Sequence, residues 1–367
     1  MKRKINFALI GCGRIAYKHI EGIVYNCSDI NLVAVSDIFV AKMDEILVHY
    51  KKILEKENIT DYKSVKKYKD YQLLLQDAKV DVVLIATESG KHPEITLEAI
   101  KKDKHVIVEK PMALSTNKAD EMIDLANKMG KLLAVCHQNR FNPTVKKLRE
   151  AVESNAFSKI THAVASIRWN RNDAYYLMDD WHGTLALDGG ILLNQCLHNI
   201  DLLCWMLGKV DYVYGEIDTF LREIETEDTG LAVVRFKSGA IGLIEGSVCI
   251  YPNNLEETFN IFGQTGTVRI GGIALNKIID WKFADSTYDI NSEEISYETN
   301  SVYGYGHNLL FKDMVDAIRN GRKPLVDGIE GKKAIELILG IYKSARTGEI
   351  IDFPLGDYST LTEVISD

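Results

Sequence analysis

The chain has 367 residues, of which 46% are hydrophobic and 26% are charged, and its formal net charge is −8. These values are ordinary for a folded soluble protein and predict about two domains. The acidic balance without a basic block argues against nucleic-acid binding, and no apolar run is long enough for a membrane span. Six cysteines without a CxxC pair, and a start whose apolar run is too short for a signal peptide, predict a cytoplasmic protein with reduced thiols.

The first third of the chain alternates short apolar runs with segments of helical periodicity. We predict strands at 5–10, 32–35, 82–86, 106–108 and 132–135, and helices at 14–25, 40–57, 92–102 and 116–129. Strands separated by helices of this length indicate βαβ units and a parallel sheet, which makes this part an α/β Rossmann-type domain. The lysine-rich stretch 51–69 is predicted to be a solvated helix face followed by a loop.

After Asn142 and Pro143 the pattern changes to consecutive strands. We predict a helix at 144–154, a strand at 158–170, an apolar helix at 188–207, strands at 210–220, 229–237, 240–250, 257–262, 266–270 and 275–283, and closing helices at 307–320 and 328–346. Strands without intervening helices favour a mostly antiparallel open sheet in an α+β domain. We place the domains at 1–140 and 141–367, and the last helices can pack back on the first domain.

A glycine turn follows the first predicted strand. Gly11, Gly13 and Ala16 form a GxGxxA pattern between a strand and a helix, which is the context of a dinucleotide site. Gly13 lets the backbone approach a pyrophosphate, and the helix start offers its N–H groups to it. Asp37 ends the second strand, where a carboxylate accepts from the ribose hydroxyls and repels a 2′-phosphate, so NAD is favoured over NADP. The alternative for Asp37 is a strand-end cap. Thr87 ends another predicted strand and lies at the same carboxyl edge of the sheet, where ligands bind in such folds.

Lys110 stands between Glu109 and Pro111 at the carboxyl end of a predicted strand. The proline favours an extended backbone at the lysine and permits a cis bond. An ammonium fixed there can orient a substrate hydroxyl and, when desolvated, can lose its proton near neutral pH. The alternative is an exposed lysine at a strand end.

A polar stripe marks the predicted helix 188–207. Asn194, His198 and Asp201 follow i, i+4, i+7 spacing, which places them on one helical face. Buried polar side chains need partners, so the stripe is either a structural network or a site. We predict no metal there, because asparagine is a poor ligand and no third His or Cys has suitable spacing.

Together these motifs resemble the glucose–fructose oxidoreductase / inositol dehydrogenase / MocA family over essentially the whole chain. The matching segments are Gly11 to Ala16, Asp37, Ala86-Thr87, Glu109 to Pro111, Gln138 to Pro143, Asp188 to Gly190, His198 to Asp201 and Gly321 to Gly348. The resemblance implies an N-terminal Rossmann domain and a C-terminal open sheet that carries the substrate pocket. It also implies a homodimer or homotetramer formed through the outer face of that sheet.

The resemblance further assigns site residues. It implies that Lys110 and His198 are catalytic. It implies cofactor contacts from Gly11, Gly13, Arg14, Ile15, Asp37, Thr87, His92, Glu109, Lys110 and Gln138. It implies substrate contacts from Lys110, Arg140, Arg168, Trp181, Asn194 and His198. For Arg140, the residue type suits a substrate carboxylate or phosphate, and the alternative is a surface or interdomain salt bridge.

The branch of the family follows from one departure. Many sugar and inositol dehydrogenases of the family have an aspartate where this chain has Asn194, and an asparagine cannot serve as a base. Asn194-Gln195 and Gln138 to Arg140 resemble the branch acting on UDP-N-acetylglucosamine or its uronate at C3. The predicted reaction is NAD-dependent oxidation of a secondary hydroxyl, with His198 as the base and Lys110 polarising the oxygen, or with these roles exchanged. Asp201 either orients His198 or caps the network. Alternatives are a free sugar or inositol dehydrogenase, an NAD-dependent glycosidase and a non-catalytic NAD-bound regulator.

Overall fold

The computed structural model describes residues 3–299 and 301–363, and the chain divides into two compact units. The first unit comprises residues 1–113, 118–136 and 307–331, and the second comprises 114–117, 137–306 and 332–367. The sequence placed the boundary after residue 140, whereas this division falls after residue 136. The late segment 307–331 belongs to the first unit.

The first unit contains a six-stranded parallel sheet with helices. Its strands are β1 (Ile5–Ile10), β2 (Ile30–Ser36), β3 (Lys66–Tyr68), β4 (Val82–Ile85), β5 (His105–Val108) and β6 (Leu133–Val135). Its helices in this part of the chain are α1 (Ala16–Tyr25), α2 (Val40–Lys56), α3 (Tyr71–Leu75), α4 (His92–Lys101) and α5 (Thr116–Met129). The strand order is β3-β2-β1-β4-β5-β6, and every neighbouring pair is parallel, which confirms the Rossmann-type prediction.

Neither β3 nor α3 is among the predicted elements. The prediction for the lysine-rich stretch 51–69 is a solvated helix face followed by a loop. Residues 66–68 instead form the edge strand of the sheet, where two of the three side chains are exposed. An edge strand buries little apolar surface and often carries lysines, so hydrophobic periodicity gives no sign of it.

The second unit contains an eight-stranded, mostly antiparallel sheet, as predicted. Its elements are α6 (Pro143–Glu153), β7 (Ile160–Arg168), α7 (Asp173–Tyr176), α8 (Ile191–Asn194), α9 (Leu197–Leu207), β8 (Val210–Asp218), β9 (Thr229–Phe236), β10 (Ile241–Ser247), β11 (Glu256–Gly263), β12 (Gly266–Gly271), β13 (Lys277–Phe283) and α10 (Ser292–Ile295). Near its end the chain adds α11 (Gly306–Asn320), α12 (Gly328–Thr347) and β14 (Ile351–Asp352). The strand order is β13-β12-β11-β7-β10-β9-β8-β14, and only the pair β7 and β10 is parallel among these strands.

The two faces of this sheet differ in cover. Helix α9 packs closely on one face, where a Cβ added at Gly242 would stand 2.9 Å from a side-chain carbon of Leu203. The opposite face carries apolar side chains that are substantially exposed in this chain. They are Tyr214, Leu231, Val233, Ile241 and Leu243. The face that α9 covers therefore forms the core of the second unit.

The prediction of one continuous helix over 188–207 is wrong. Gly189 and Gly190 have φ values of 84° and 104°, which a right-handed helix cannot contain, so the helical segment begins at Ile191. A second break separates α8 from α9 at residues 195–196, where the Cys196 N–H bonds back to the Ile191 carbonyl. Asn194 and His198 consequently belong to different helices.

Helix α11 packs against the first unit, to which residues 307–331 belong. The Phe311 ring lies 5.7 Å from that of Phe7 on β1, and a Cβ added at Gly22 would meet Phe311 at 2.6 Å. Within residues 3–299 and 301–363, no helix combines the length and apolar character needed to cross a membrane. No disulfide joins any of the six cysteines, all of which are described.

Candidate functional site

The glycine turn after β1 leaves space where a dinucleotide needs it. Gly11 has a φ of 90°, and a Cβ there would stand 2.4 Å from the Ala86 carbonyl oxygen, so the turn packs directly on the chain after β4. A Cβ added at Gly13 would have no atom within 4 Å. The N-cap of α1, Ile15, makes no side-chain capping hydrogen bond. An uncapped helix start beside open space fits a pyrophosphate.

Asp37 lies next to this turn at the end of β2. One carboxylate oxygen accepts the Cys12 N–H and the other accepts the Phe39 N–H, both at 2.8 Å. These are the bonds expected of the strand-end cap. Since a carboxylate has about four acceptor positions, two of them remain for ribose hydroxyls. Arg14 is exposed and Ile15 is half-buried at the same helix start.

His92 holds the chain at the neighbouring sheet edge. Its ring is 1% exposed, with Nδ1 2.7 Å from the Pro111 carbonyl oxygen and Nε2 3.1 Å from that of Thr87. Both ring nitrogens therefore face backbone carbonyls. This placement gives His92 a supporting role at the edge, in contrast to the predicted direct contact with the cofactor.

Glu109 and Lys110 follow β5, and the bond between Lys110 and Pro111 is cis. Lys110 is half-buried, whereas Glu109 is buried with one carboxylate oxygen 2.8 Å from the His19 Nε2. Burial opposes the charge of Glu109, but the hydrogen bond and charge of His19, with His307 and Lys110, keep the pKa of Glu109 well below its usual value. A buried carboxylate thus precedes the lysine.

In the second unit, Gln138, which is predicted to contact the cofactor, contacts His198. The Gln138 side-chain nitrogen lies 3.0 Å from the His198 Nε2. Because an amide nitrogen can only donate, Nε2 is the accepting nitrogen of the ring. The His137 ring stands edge-on to that of His198, with centroids 5.9 Å apart. His198 is half-buried and presents Nε2 as a proton acceptor.

Arg140 is the fully buried partner of Asp201. Its Nε and one terminal nitrogen bond the two Asp201 oxygens at 2.8 and 2.6 Å, and the guanidinium stacks on the Trp205 ring at 4.9 Å. Its relative exposure is 0%. The pair with Asp201 favours a salt bridge over binding of a substrate anion, and this salt bridge is buried within the second unit. Asp201 correspondingly accepts both of these bonds from Arg140.

The remaining predicted substrate residues lie in separate environments. Asn194 donates to an Asp188 oxygen at 2.5 Å. Trp181 is half-buried in the segment before Gly189, and its ring stacks on His182 with centroids 3.8 Å apart. Arg168 pairs with Glu245 and Glu256 across the sheet, so two carboxylates already compensate its charge. This pairing argues against a free cationic site at Arg168.

Two family models match most of the chain. Residues 5–137 match the GFO_IDH_MocA model, described as an oxidoreductase family with an NAD-binding Rossmann fold. Residues 145–269 match the GFO/IDH/MocA C-terminal domain. The chain belongs to the Gfo/Idh/MocA family. As a Gfo/Idh/MocA protein, it is an NAD-dependent oxidoreductase for substrates of the sugar type.

Solved and curated Gfo/Idh/MocA relatives cover nearly the whole chain. The WlbA dehydrogenase from Bordetella pertussis, solved with NADH and UDP-GlcNAcA, is 36% identical, with a TM-score of 0.87 over 96% of this chain and 99% of that one. WlbA from Chromobacterium violaceum, with the same two ligands, is 35% identical, with a TM-score of 0.84 over 96% and 97%. Myo-inositol 2-dehydrogenase from Thermotoga maritima is 28% identical over 93% of this chain and 96% of its own length.

Several polar residues beside these Gfo/Idh/MocA motifs escaped the sequence analysis. His19, Cys136 and His307 lie near Glu109 in the first unit. Glu227 and Glu257 are buried in the second unit, where burial raises the pKa of each to about 8. A buried carboxylate at Glu109 needs a polar partner, and this need could have pointed to a residue such as His19. Nothing in the spacing indicates the burial of Glu227 or Glu257.

Proposed function

We propose that this protein oxidises the C3 hydroxyl of a UDP-N-acetylhexosamine, or of its uronate, with NAD as the oxidant. The observation that carries the proposal is the similarity to two WlbA dehydrogenases whose structures contain NADH and UDP-GlcNAcA. Their identities of 36% and 35% exceed those of the sugar dehydrogenases, such as 18% for levoglucosan dehydrogenase. The C3 position follows from the family branch that the sequence resembles.

Asn194 supports the same branch. An amide can hydrogen-bond a sugar hydroxyl but cannot take its proton. The base must therefore be another group, and His198 is the nearest ionisable candidate in the sequence motif. Its Nε2 already accepts a hydrogen bond from Gln138 at 3.0 Å, which is the geometry of a proton acceptor.

We assign the steps to the residues as follows. His198 Nε2 takes the hydroxyl proton when a substrate hydroxyl replaces the Gln138 amide as its donor. Lys110, which is catalytic by the family resemblance, stabilises the negative charge that develops on a substrate oxygen. NAD, when bound, accepts the hydride from the carbon. The rival assignment, with Lys110 as the base, predicts that the His198 variant keeps a slow, alkaline-dependent turnover.

A substrate panel tests the proposal. Enzyme and NAD are mixed separately with UDP-N-acetylglucosaminuronate, UDP-N-acetylglucosamine, UDP-glucose, myo-inositol and glucose, and NADH is followed by its absorbance. We expect turnover with the first or second sugar and at least about 100-fold lower kcat/KM with the free sugars, because lost polar contacts each cost a large factor. Mass spectrometry of the products detects a 3-keto sugar or a hydrolysed glycoside. Turnover of a free sugar alone overturns the proposal.

Oxidation of a free cyclitol or sugar is the second candidate. Two curated relatives favour it, the Thermotoga inositol dehydrogenase at 28% identity and D-glucoside 3-dehydrogenase from Escherichia coli at 29%. The panel separates this candidate from the first. A thermal shift with UDP-sugars but no turnover in any mixture supports the non-catalytic alternative.

We also propose that the exposed sheet face of the second unit joins copies of the chain. Leu231, Val233 and Leu243 are 51%, 47% and 42% exposed on adjacent strands. Contiguous apolar side chains on a sheet face are typical of an interface. The double variant Leu231→Lys with Leu243→Lys should reduce the mass measured by light scattering, while the control Val48→Lys on α2 should not. An unchanged mass in the double variant overturns the proposal.

A further inference from the structure

The backbone of Lys110 is held by its preceding residue. One oxygen of Glu109 accepts the Lys110 N–H at 3.0 Å. The other oxygen lies 2.8 Å from the Nε2 of His19, a buried residue of α1. The two oxygens of one carboxylate therefore connect the helix that begins at the glycine turn with the lysine at the end of β5.

The residue that follows Lys110 is held in a similar way. Nδ1 of His92 lies 2.7 Å from the Pro111 carbonyl oxygen, and Nε2 lies 3.1 Å from that of Thr87. Burial lowers the pKa of His92, so the ring is neutral near pH 7 and has a single N–H. The shorter contact identifies Pro111 as the main acceptor. Lys110 is thus flanked by two anchored residues.

The Glu109 anchor is also costly to break. Glu109 is 5% exposed and His19 is 0% exposed. A buried carboxylate that loses its close polar partner must move, bind water or gain a proton. Each of these responses changes the bond between Glu109 and the Lys110 N–H. The position of the lysine therefore depends on a residue that does not itself reach the reacting groups.

We propose that His19 is a positioning residue for the reaction, which acts on Lys110 through Glu109, with His92 acting in parallel through Pro111. This inference rests on the proposed role of Lys110. His19 lies in the helix whose start fits the pyrophosphate, so the anchor sets the lysine relative to the cofactor-binding helix. A displacement of about 1 Å at a reacting group can cost about 100-fold in rate.

A metal site is the competing explanation of the same cluster. The ligand atoms of His19, Glu109 and Cys136 all lie within 4.8 Å of one another. However, ligands about 2 Å from a zinc ion in tetrahedral geometry are separated by more than about 3 Å. The 2.8 Å separation of His19 Nε2 and Glu109 Oε1 is shorter than this and corresponds to direct contact between the two polar atoms.

Four variants test the inference. His19→Leu removes the polar contact with Glu109, His19→Asn is too short to reach Glu109, and His19→Gln places an amide N–H near the position of Nε2. The control, His105→Gln, changes a half-buried histidine at the opposite end of β5. We measure kcat per NADH-binding site with UDP-N-acetylglucosaminuronate, its KM, and the Kd of NADH by fluorescence.

We expect kcat to fall about 10- to 100-fold in His19→Leu and His19→Asn, because Lys110 is no longer held in its position. The KM and the NADH Kd should change less than about threefold, a split that lost folding alone does not produce. His19→Gln should recover most of kcat, and His105→Gln should match the wild type. Wild-type kcat in both His19→Leu and His19→Asn, or no recovery in His19→Gln, overturns the inference. One equivalent of tightly bound metal in elemental analysis of the wild type also overturns it.

Two further measurements separate this inference from the proposed function. Lys110→Met should lose at least 100-fold in kcat, and if it does not, the role of Lys110 is wrong and the inference fails with it. If Lys110→Met is inactive but His19→Leu is fully active, only the inference fails. Should no panel sugar turn over, crystal structures with NADH decide, since His19→Leu must move Lys110 Nζ by about 1 Å or more. An unmoved lysine overturns the inference without reference to a substrate.

Discussion

The polar sites of the two units consist of different parts of the chain, namely backbone in the first unit and side chains in the second. In the first unit, the features that fit a dinucleotide are backbone features, namely two glycines, an uncapped helix start and strand ends that meet at one edge. In the second unit, the site consists of side chains from distant segments. Gln138 and His198 are 60 residues apart, and Arg140 and Asp201 are 61 apart. A backbone site depends on the fold, whereas a side-chain site depends on single residues.

Substitution of His198 tests this contrast most directly. We expect His198→Ala to lower kcat about 1000-fold, since a positioned base contributes about 100- to 10,000-fold. The Kd of NADH should stay within about twofold, because the backbone features that fit a dinucleotide lie in the first unit. His162→Ala, an exposed histidine of β7, is the matched control. Parallel loss of NADH binding and turnover would place His198 in the cofactor site.

Arg140 should show a stability effect of similar size. Arg140→Met leaves the buried Asp201 carboxylate without its bidentate partner, which costs about 3–5 kcal/mol of unfolding free energy. Arg149 stacks on the same Trp205 ring at 4.9 Å but is partly exposed, so Arg149→Met should cost about 1 kcal/mol or less. Urea denaturation gives both values. Equal costs for the two arginines would contradict the assignment of Arg140 to Asp201.

Substitution of the two glycines of the turn should affect different properties, namely thermal stability at Gly11 and NADH affinity at Gly13. Gly11→Ala forces a Cβ to within 2.4 Å of the Ala86 oxygen at a φ of 90°, so the melting temperature should fall by several degrees. Gly13→Ala meets no protein atom within 4 Å, so the apoprotein should keep its melting temperature. It should nevertheless weaken NADH binding at least tenfold by occupying the pyrophosphate space. Normal NADH affinity in Gly13→Ala would show that the dinucleotide does not bind at this turn.

The smallest expected effect is a pH dependence from the second unit. Burial raises the pKa of Glu257 to about 8 from an ordinary value of 4.5, and only the hydrogen bond from Asn139 counters it. The folded state then binds a proton more tightly than the unfolded state, so this group lowers stability as pH rises from about 4.5 to about 8. Glu257→Gln should melt a few degrees above the wild type at pH 8.5 and equal it at pH 4.5. Exposed Glu153→Gln on α6 should melt with the wild type at both values, and a constant offset for Glu257→Gln would contradict the assigned ionisation.

The same contrast explains what the sequence could predict. Apolar runs predicted both sheets and most strand limits to within a few residues, and the glycine pattern predicted the turn after β1, because those signals are local. The edge strand at 66–68 was missed, since its lysines are solvated. Asn194 and His198 were placed on one helix because periodicity does not register the break at 195–196. The Arg140–Asp201 pair was missed because no local pattern specifies a contact across 61 residues.

Helix α11 has a consequence for the order in which the protein can be made. Phe311, which is synthesised late, packs on Phe7 and against Gly22, which are synthesised early. The first unit therefore cannot close its core until about residue 331 has been synthesised, after all strands of the second unit except β14. Domains usually fold as units during synthesis, N-terminal first. In this chain, the nascent Rossmann sheet therefore stays partly uncovered until α11 has been synthesised.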